Sequence, residues 1–152
     1  MKVSFLPLAA SFLLVTLTGC NQISTSSAMT TPTHSAIPPS SYEPQPDDAK
    51  FERGQVYLDL ESSRIVLRES LPAQVSLILN GSLSTPCHKL RVVVTPADPQ
   101  KEIRLEVYSV FDPKEVCITL IQPFNATIPF GSYSGGHYRV YVNDQLVVEF
   151  DA

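Results

Sequence analysis

The chain has no tryptophan, only six glycines in 152 residues, and no two adjacent lysines or arginines anywhere. With a formal net charge of −4, it lacks the basic stripe that phosphate backbones require, which excludes a nucleic-acid partner. The same lack excludes polybasic docking on anionic lipid. Cysteine is scarce, with Cys20, Cys87 and Cys117 alone. None lies in a Cys-x-x-Cys pair, and there is no Gly-x-Ser-x-Gly elbow for a nucleophilic serine. Ser134-Gly135-Gly136-His137 is a turn by composition, not a phosphate cradle, because no helical pattern follows it.

What is present begins with a leader. Lys2 supplies a positive start, and Phe5 to Leu17 is an apolar run of thirteen residues. That is too short to span a bilayer as a helix and reads as a signal peptide. It ends on Leu17-Thr18-Gly19-Cys20, where a small residue precedes a thiol. This tetrapeptide resembles the lipobox of bacterial lipoproteins. The resemblance implies cleavage before Cys20, thioether linkage of its sulfur to diacylglycerol, and N-acylation. Two or more acyl chains hold a protein stably where one does not. The residue after the cysteine is Asn21 rather than aspartate, which resembles the outer-membrane sorting pattern where a second membrane exists. Loss of residues 1–19 removes Lys2 and leaves ten basic against fifteen acidic residues, a formal −5.

Residues 20–50 are almost entirely Ser, Thr, Pro, Gln, Ala and Asp. They carry too little apolar area to offset the entropy of ordering, and are expected to be a disordered tether. A coil of that length has a root-mean-square reach of about 30 Å. From residue 51 to 152 the pattern changes to short alternating runs. Val56, Leu58 and Leu60 fall on one face; so do Val75, Leu77 and Leu79, then Leu90, Val92 and Val94, then Ile103, Leu105 and Val107. Period two with one polar face predicts antiparallel strands over a core. "SRIVLRES", "VCITLIQ" and "NATIPFG" raise the count to seven or eight. The expected fold is all-β, a two-sheet antiparallel sandwich.

Two hairpins are specified further. Around "PADPQK", pairing Val94 with Ile103 and Val92 with Leu105 would set Arg91 opposite Glu106. In "HYRVYVNDQLVVEF" a plain two-residue Asn143-Asp144 turn would put Tyr138, Val140 and Val142 on the face opposite to Leu146, Val148 and Phe150. A one-residue slip flips every side chain, so a three-residue loop or an equivalent bulge is expected. The closing "FGSYSGGHYRVYVNDQLVVEF" resembles the end of bacterial immunoglobulin-like domains. That likeness spans about 20 residues and implies an immunoglobulin-like architecture. The absence of tryptophan and the 30-residue spacing of Cys87 and Cys117 depart from the antibody pattern.

Cys87 and Cys117 make the right number for one structural disulfide in an exported chain. His34 falls in the tether, whereas His88 and His137 are the two histidines a metal carrier or small enzyme would have to use. No carboxylate or thiolate stands at ligand spacing beside them. No catalytic residue and no metal ligand is assigned. Tyr57, Tyr108 and Tyr141 take polar-side positions and form a candidate binding face, since exposed aromatics stack on sugars or anchor a protein partner. Asn80 and Asn125 match the glycosylation sequon, which carries no weight in a bacterial lipoprotein. The expectation is therefore a lipid-anchored protein of the bacterial cell envelope, facing the extracytoplasmic side, at the outer membrane if the organism has one. It is a non-catalytic binding or assembly module without cofactor beyond the lipid at Cys20. Its partners are the membrane through that lipid and a protein or glycan. The alternative is an extracytoplasmic metal carrier or enzyme built on His88 and His137.

Overall fold

The computed structural model describes residues 41–152; the leader, Cys20 and residues 21–40 lie outside the described residues. Eight strands follow one another: β1 (Glu52–Gly54), β2 (Val56–Arg68), β3 (Ala73–Leu83), β4 (Lys89–Thr95), β5 (Glu102–Phe111), β6 (Gln122–Tyr133), β7 (His137–Val142) and β8 (Gln145–Asp151). They build two sheets, as the alternation requires. One is β2-β3-β6, and the other centres on β5. Alternate residues of each strand point inward, and Leu77, Leu79, Ile103, Ile128, Phe130, Val140 and Val142 are fully shielded from solvent. Phe130, Tyr133, Tyr138 and Phe150 close one end of this core as an aromatic cluster with centroids 5.0–6.3 Å apart. Burial there pushes the Tyr133 phenol well above its ordinary range.

The β5 strand has neighbours on both edges. β4 pairs along Arg104–Val110, while β7 takes Glu102–Leu105 and β1 takes Ser109–Phe111 on the other edge. The β5–β7 pair is parallel, a departure from a wholly antiparallel sandwich. Its cause is topological: the chain leaves β5, crosses to the other sheet for β6, and returns running as β5 ran.

Three further expectations are corrected. Val92 faces Val107 and Val94 faces Leu105, two residues away from the predicted register. The inward faces are kept, but Arg91 now lies opposite Tyr108 rather than Glu106. The connection takes the difference: Asp98 accepts from the Lys101 and Glu102 amides, and Lys101 adopts a φ of 62°. Second, "VCITLIQ" is not a strand before Gln122, since residues 112–121 cross between sheets as a loop. The C-terminal half of β5 has no edge left, and β3 begins to pair with the returning chain only at Gln122. Third, the domain begins before residue 51. Pro46–Lys50 form a 3₁₀ turn, and the Tyr42 carbonyl accepts from the Val92 amide at 2.7 Å on the outer edge of β4. This segment covers an edge that would otherwise be open to pairing.

The last hairpin keeps Tyr138, Val140, Val148 and Phe150 on one face as expected, but Leu146 pairs with Tyr141 rather than Val142 and stands 48 % exposed, because the turn closes on Val142 and Gln145. Asn143 and Asp144 form a two-residue turn at φ 47° and 64°, and a bulge beyond it restores Val140 to Val148 and Tyr138 to Phe150. Cys87 and Cys117 are joined, with Cα atoms 6.1 Å apart. On the chain-entropy estimate, closing that 30-residue interval stabilises the fold by about 3–4 kcal/mol.

Asp48 fastens the N-terminal segment. Its carboxylate accepts from Arg91 Nε at 2.6 Å and Nη2 at 2.9 Å, both side chains being almost buried. The Arg91 bonds hold this carboxyl below its usual value, helped by the Gln45 amide and opposed by burial. Replacing Arg91 with alanine should therefore destabilise the domain by about 1–3 kcal/mol in urea melts, the cost of an orphaned charged partner. A lowered folded pKa contributes stability that is complete above the unfolded value of about 3.9 and is lost as pH falls through the folded one. The gap between wild type and Asp48→Asn should thus be full at pH 7 and close in acid.

Candidate functional surfaces

The three outward tyrosines do not form one face. Tyr108 and Tyr141 lie on the β5 sheet, whereas Tyr57 belongs to β2 on the opposite sheet. The first two rings are already occupied: the Arg53 guanidinium stands 3.9 Å from the Tyr108 centroid and that of Arg104 stands 4.8 Å from Tyr141. Their surroundings neutralise one another. Arg53 pairs with Glu106, Arg104 with Glu102 at 2.7 Å and Asp144 at 3.2 Å, and Arg139 with Glu102 at 2.9 Å. Such a lattice of surface pairs adds little stability per pair, but it leaves the arginine heads and ring faces engaged with each other.

Tyr57 differs. It is 52 % exposed, and no guanidinium covers its ring. Ladder pairing sets Tyr57, Ser82 and Pro123 in one row on the outer face of the β2-β3-β6 sheet, with Asp59, Asn80 and Asn125 in the next. Gly81 lies between the rows, where a Cβ would stand 2.5 Å from the Tyr57 carbonyl oxygen and 2.7 Å from the Phe124 ring. Beside these rows lies an open recess of about 450 Å³ lined by Tyr57, Asp59, Asn80, Ser82, Ile121 and Pro123, among others. The row behind it is fixed by hydrogen bonds. Asn125 Nδ2 donates to Asn80 Oδ1, Asn80 Nδ2 donates to the Ser62 carbonyl at 3.0 Å, and the Ser62 hydroxyl donates to Asp59 at 2.7 Å.

The 112–121 loop adjoins this recess through Ile121. Val116 is 99 % exposed, and Ile118, Leu120 and Ile121 stand more than half in solvent. The bridge at Cys117 pins the loop to the β3–β4 connection, so these aliphatic groups are displayed on an anchored segment. Reading the run as a strand concealed this surface. The adjacent Leu120-Ile121 pair, which breaks the alternation, was the available signal.

The two histidines are far apart. His88 stacks on Phe111 at 4.7 Å and its Nδ1 meets Thr85 Oγ1 at 2.8 Å, at the C-terminal end of β5. His137 starts β7, two residues ahead of the Arg139–Glu102 pair at the other end of β5. About eleven strand residues separate the two levels, roughly 35 Å. A metal site shared by His88 and His137 is therefore not assembled. Among the described residues, no group of three or more His, Cys, Asp or Glu is placed to hold a metal ion.

His137 has a different engagement. Its Nδ1 lies 3.0 Å from Asp151 and its Nε2 3.6 Å from Glu149 on the neighbouring strand. The Asp151 hydrogen bond raises its pKa above the ordinary 6.5, with both carboxylates adding attraction. A raised value contributes stability that is complete below 6.5 and is lost as pH rises through the folded value. In a proton NMR titration the His137 ring should titrate above 6.5 and return toward it in Asp151→Asn. A wild-type midpoint at or below 6.5 would contradict the contact.

An uncharacterized 10.2 kDa protein in the HgiCIIM 5′ region of Herpetosiphon aurantiacus is 33 % identical over 86 residues, covering 56 % of this chain and 90 % of that protein. No solved structure matches. The ORF11 beta-sandwich domain matches residues 77–152, opening within β3 and running through β8. The two-sheet geometry and that match together make this chain a member of the ORF11 beta-sandwich domain family.

Proposed function

We propose that the protein is a lipid-anchored lipoprotein of the bacterial cell envelope that presents its β-sandwich as a non-catalytic binding or assembly module. The observation that carries this reading is Leu17-Thr18-Gly19-Cys20 at the close of a thirteen-residue apolar run behind Lys2. Signal peptidase acting before Cys20 would leave an acylated N-terminal cysteine facing the extracytoplasmic side, at the outer membrane in a two-membrane cell. From Cys20 to Tyr42, whose carbonyl accepts from the Val92 amide, the chain runs 22 residue steps. Fully extended they reach at most about 75 Å, so the module works within that distance of the lipid.

The binding role is supported by what the domain displays. A disulfide-pinned loop carrying four exposed aliphatic side chains, beside an uncovered tyrosine, is the kind of patch that marks contact with another molecule. The ion-paired face of the β5 sheet offers less, because each charge there already has its partner.

Expression in a bacterial host with radiolabelled palmitate tests the anchor. The wild-type chain should incorporate label and mature to a form starting at Cys20 with added lipid mass. Cys20→Ser should take up none and should leave the membrane fraction. A mature chain that begins at Cys20 without lipid mass, or a serine variant that stays in the membrane as firmly as the parent, overturns the reading.

A further inference from the structure

We infer that the recess beside Tyr57 is a binding site for a neutral carbohydrate. Two requirements of sugar recognition coincide there. One is an aromatic face free to stack against the C–H face of a pyranose ring. The other is a set of rigidly held amide, carboxylate and hydroxyl groups to meet its hydroxyls.

Tyr57 alone of the three outward tyrosines has a ring without a guanidinium over it. Ser82 is the small residue between Tyr57 and Pro123 in the ladder, so the row dips in its middle. The polar row behind is held before any ligand arrives. Asn80 is fixed by Ser62 and Asn125, and Ser62 is itself held by Asp59. Binding capacity remains after those bonds are counted. The Ser82 and Tyr57 hydroxyls line the recess and make no hydrogen bond within the described residues, and the Asp59 carboxylate, which also lines it, keeps acceptor capacity beyond its bonds to Ser62. Among the described residues, Asp59 is the only charged group lining the recess; it repels an anionic ligand, and the hydroxyls beside it suit an uncharged one. A volume of about 450 Å³ in a shallow opening suits a surface subsite rather than an enclosed pocket. A peptide would compete for the same place through the Ile121 side, but an apolar peptide contact has no use for the fixed amide row.

The inference rests on the domain being a binding module and not on the anchor. Saturation-transfer NMR on the full chain in detergent micelles tests it, with the N-acetylglucosamine trimer, cellotriose and maltotriose as probes and tetra-alanine as the peptide control. At least one trisaccharide should show transfer, strongest at ring C–H protons. Tyr57→Ala should reduce it at least tenfold, Tyr57→Phe should keep most of it, and Tyr141→Ala should leave it unchanged. Ser82→Ala, which removes a hydroxyl lining the recess without touching the stacking ring, should weaken it several-fold. No transfer to any of the three sugars overturns the site. So does equal transfer in Tyr57→Ala, or transfer to tetra-alanine as strong as to the sugars. The Cys20→Ser chain separates the two readings: it should bind sugar as the parent does whether or not the parent carries lipid.

Discussion

Strand β5 has two edges, and three other strands compete for them. β4 lies along one, and β7 and β1 divide the other end to end. This crowding fixes much else. Both edges of β5 are taken near Phe111, and the chain leaving it pairs next in the other sheet, as β6. It returns as β7 in the same direction as β5, which creates the parallel pair inside an otherwise antiparallel structure. The crossing segment, residues 112–121, is left without a ladder, and its aliphatic side chains stay in solvent. The Cys87–Cys117 bridge holds this crossing against the neighbouring connection. An exposed apolar surface thus arises from competition for hydrogen-bonding edges.

The two outer faces of the sandwich differ electrostatically. On the β5 sheet, arginines alternate with glutamates across neighbouring strands, and the tyrosines there lie under the arginines. A ligand would have to break these contacts to gain its own. On the β2-β3-β6 sheet, short polar side chains are bonded to one another and leave Tyr57 uncovered. The face where groups are held by neutral hydrogen bonds is the one with capacity to spare. Edge protection follows the same economy. β6 carries Pro123 and Pro129, which remove amides from an outer strand, and the segment around Tyr42 covers part of β4.

That N-terminal segment also joins whatever precedes it to the domain. Composition alone placed residues 41–50 in the tether, since Pro, Asp and Gln dominate them. Composition does not report that Asp48 meets a two-pronged partner 43 residues away, or that a carbonyl at position 42 finds an unpaired amide on β4. The two-pronged pair of Asp48 with Arg91, together with the Tyr42 carbonyl on the Val92 amide, ties this polar segment to β4.

The sequence by itself determined most of the inward faces, because alternation with period two is a local property and burial follows it along β3, β7 and most of β5. It also determined that the last hairpin needs a bulge, since Tyr138, Val140, Val148 and Phe150 must share one face, and that two cysteines remain to be joined within the domain. The tertiary structure alone decided which strand lies beside which. A slide of two residues between β4 and β5 keeps every face, so alternation cannot detect it, and the Asp98 turn settles it instead. Whether "VCITLIQ" becomes a strand depended on an edge elsewhere being vacant. Whether a tyrosine is open depended on an arginine from another strand. Faces are set by neighbours in sequence, but partners by competition among groups far apart in it.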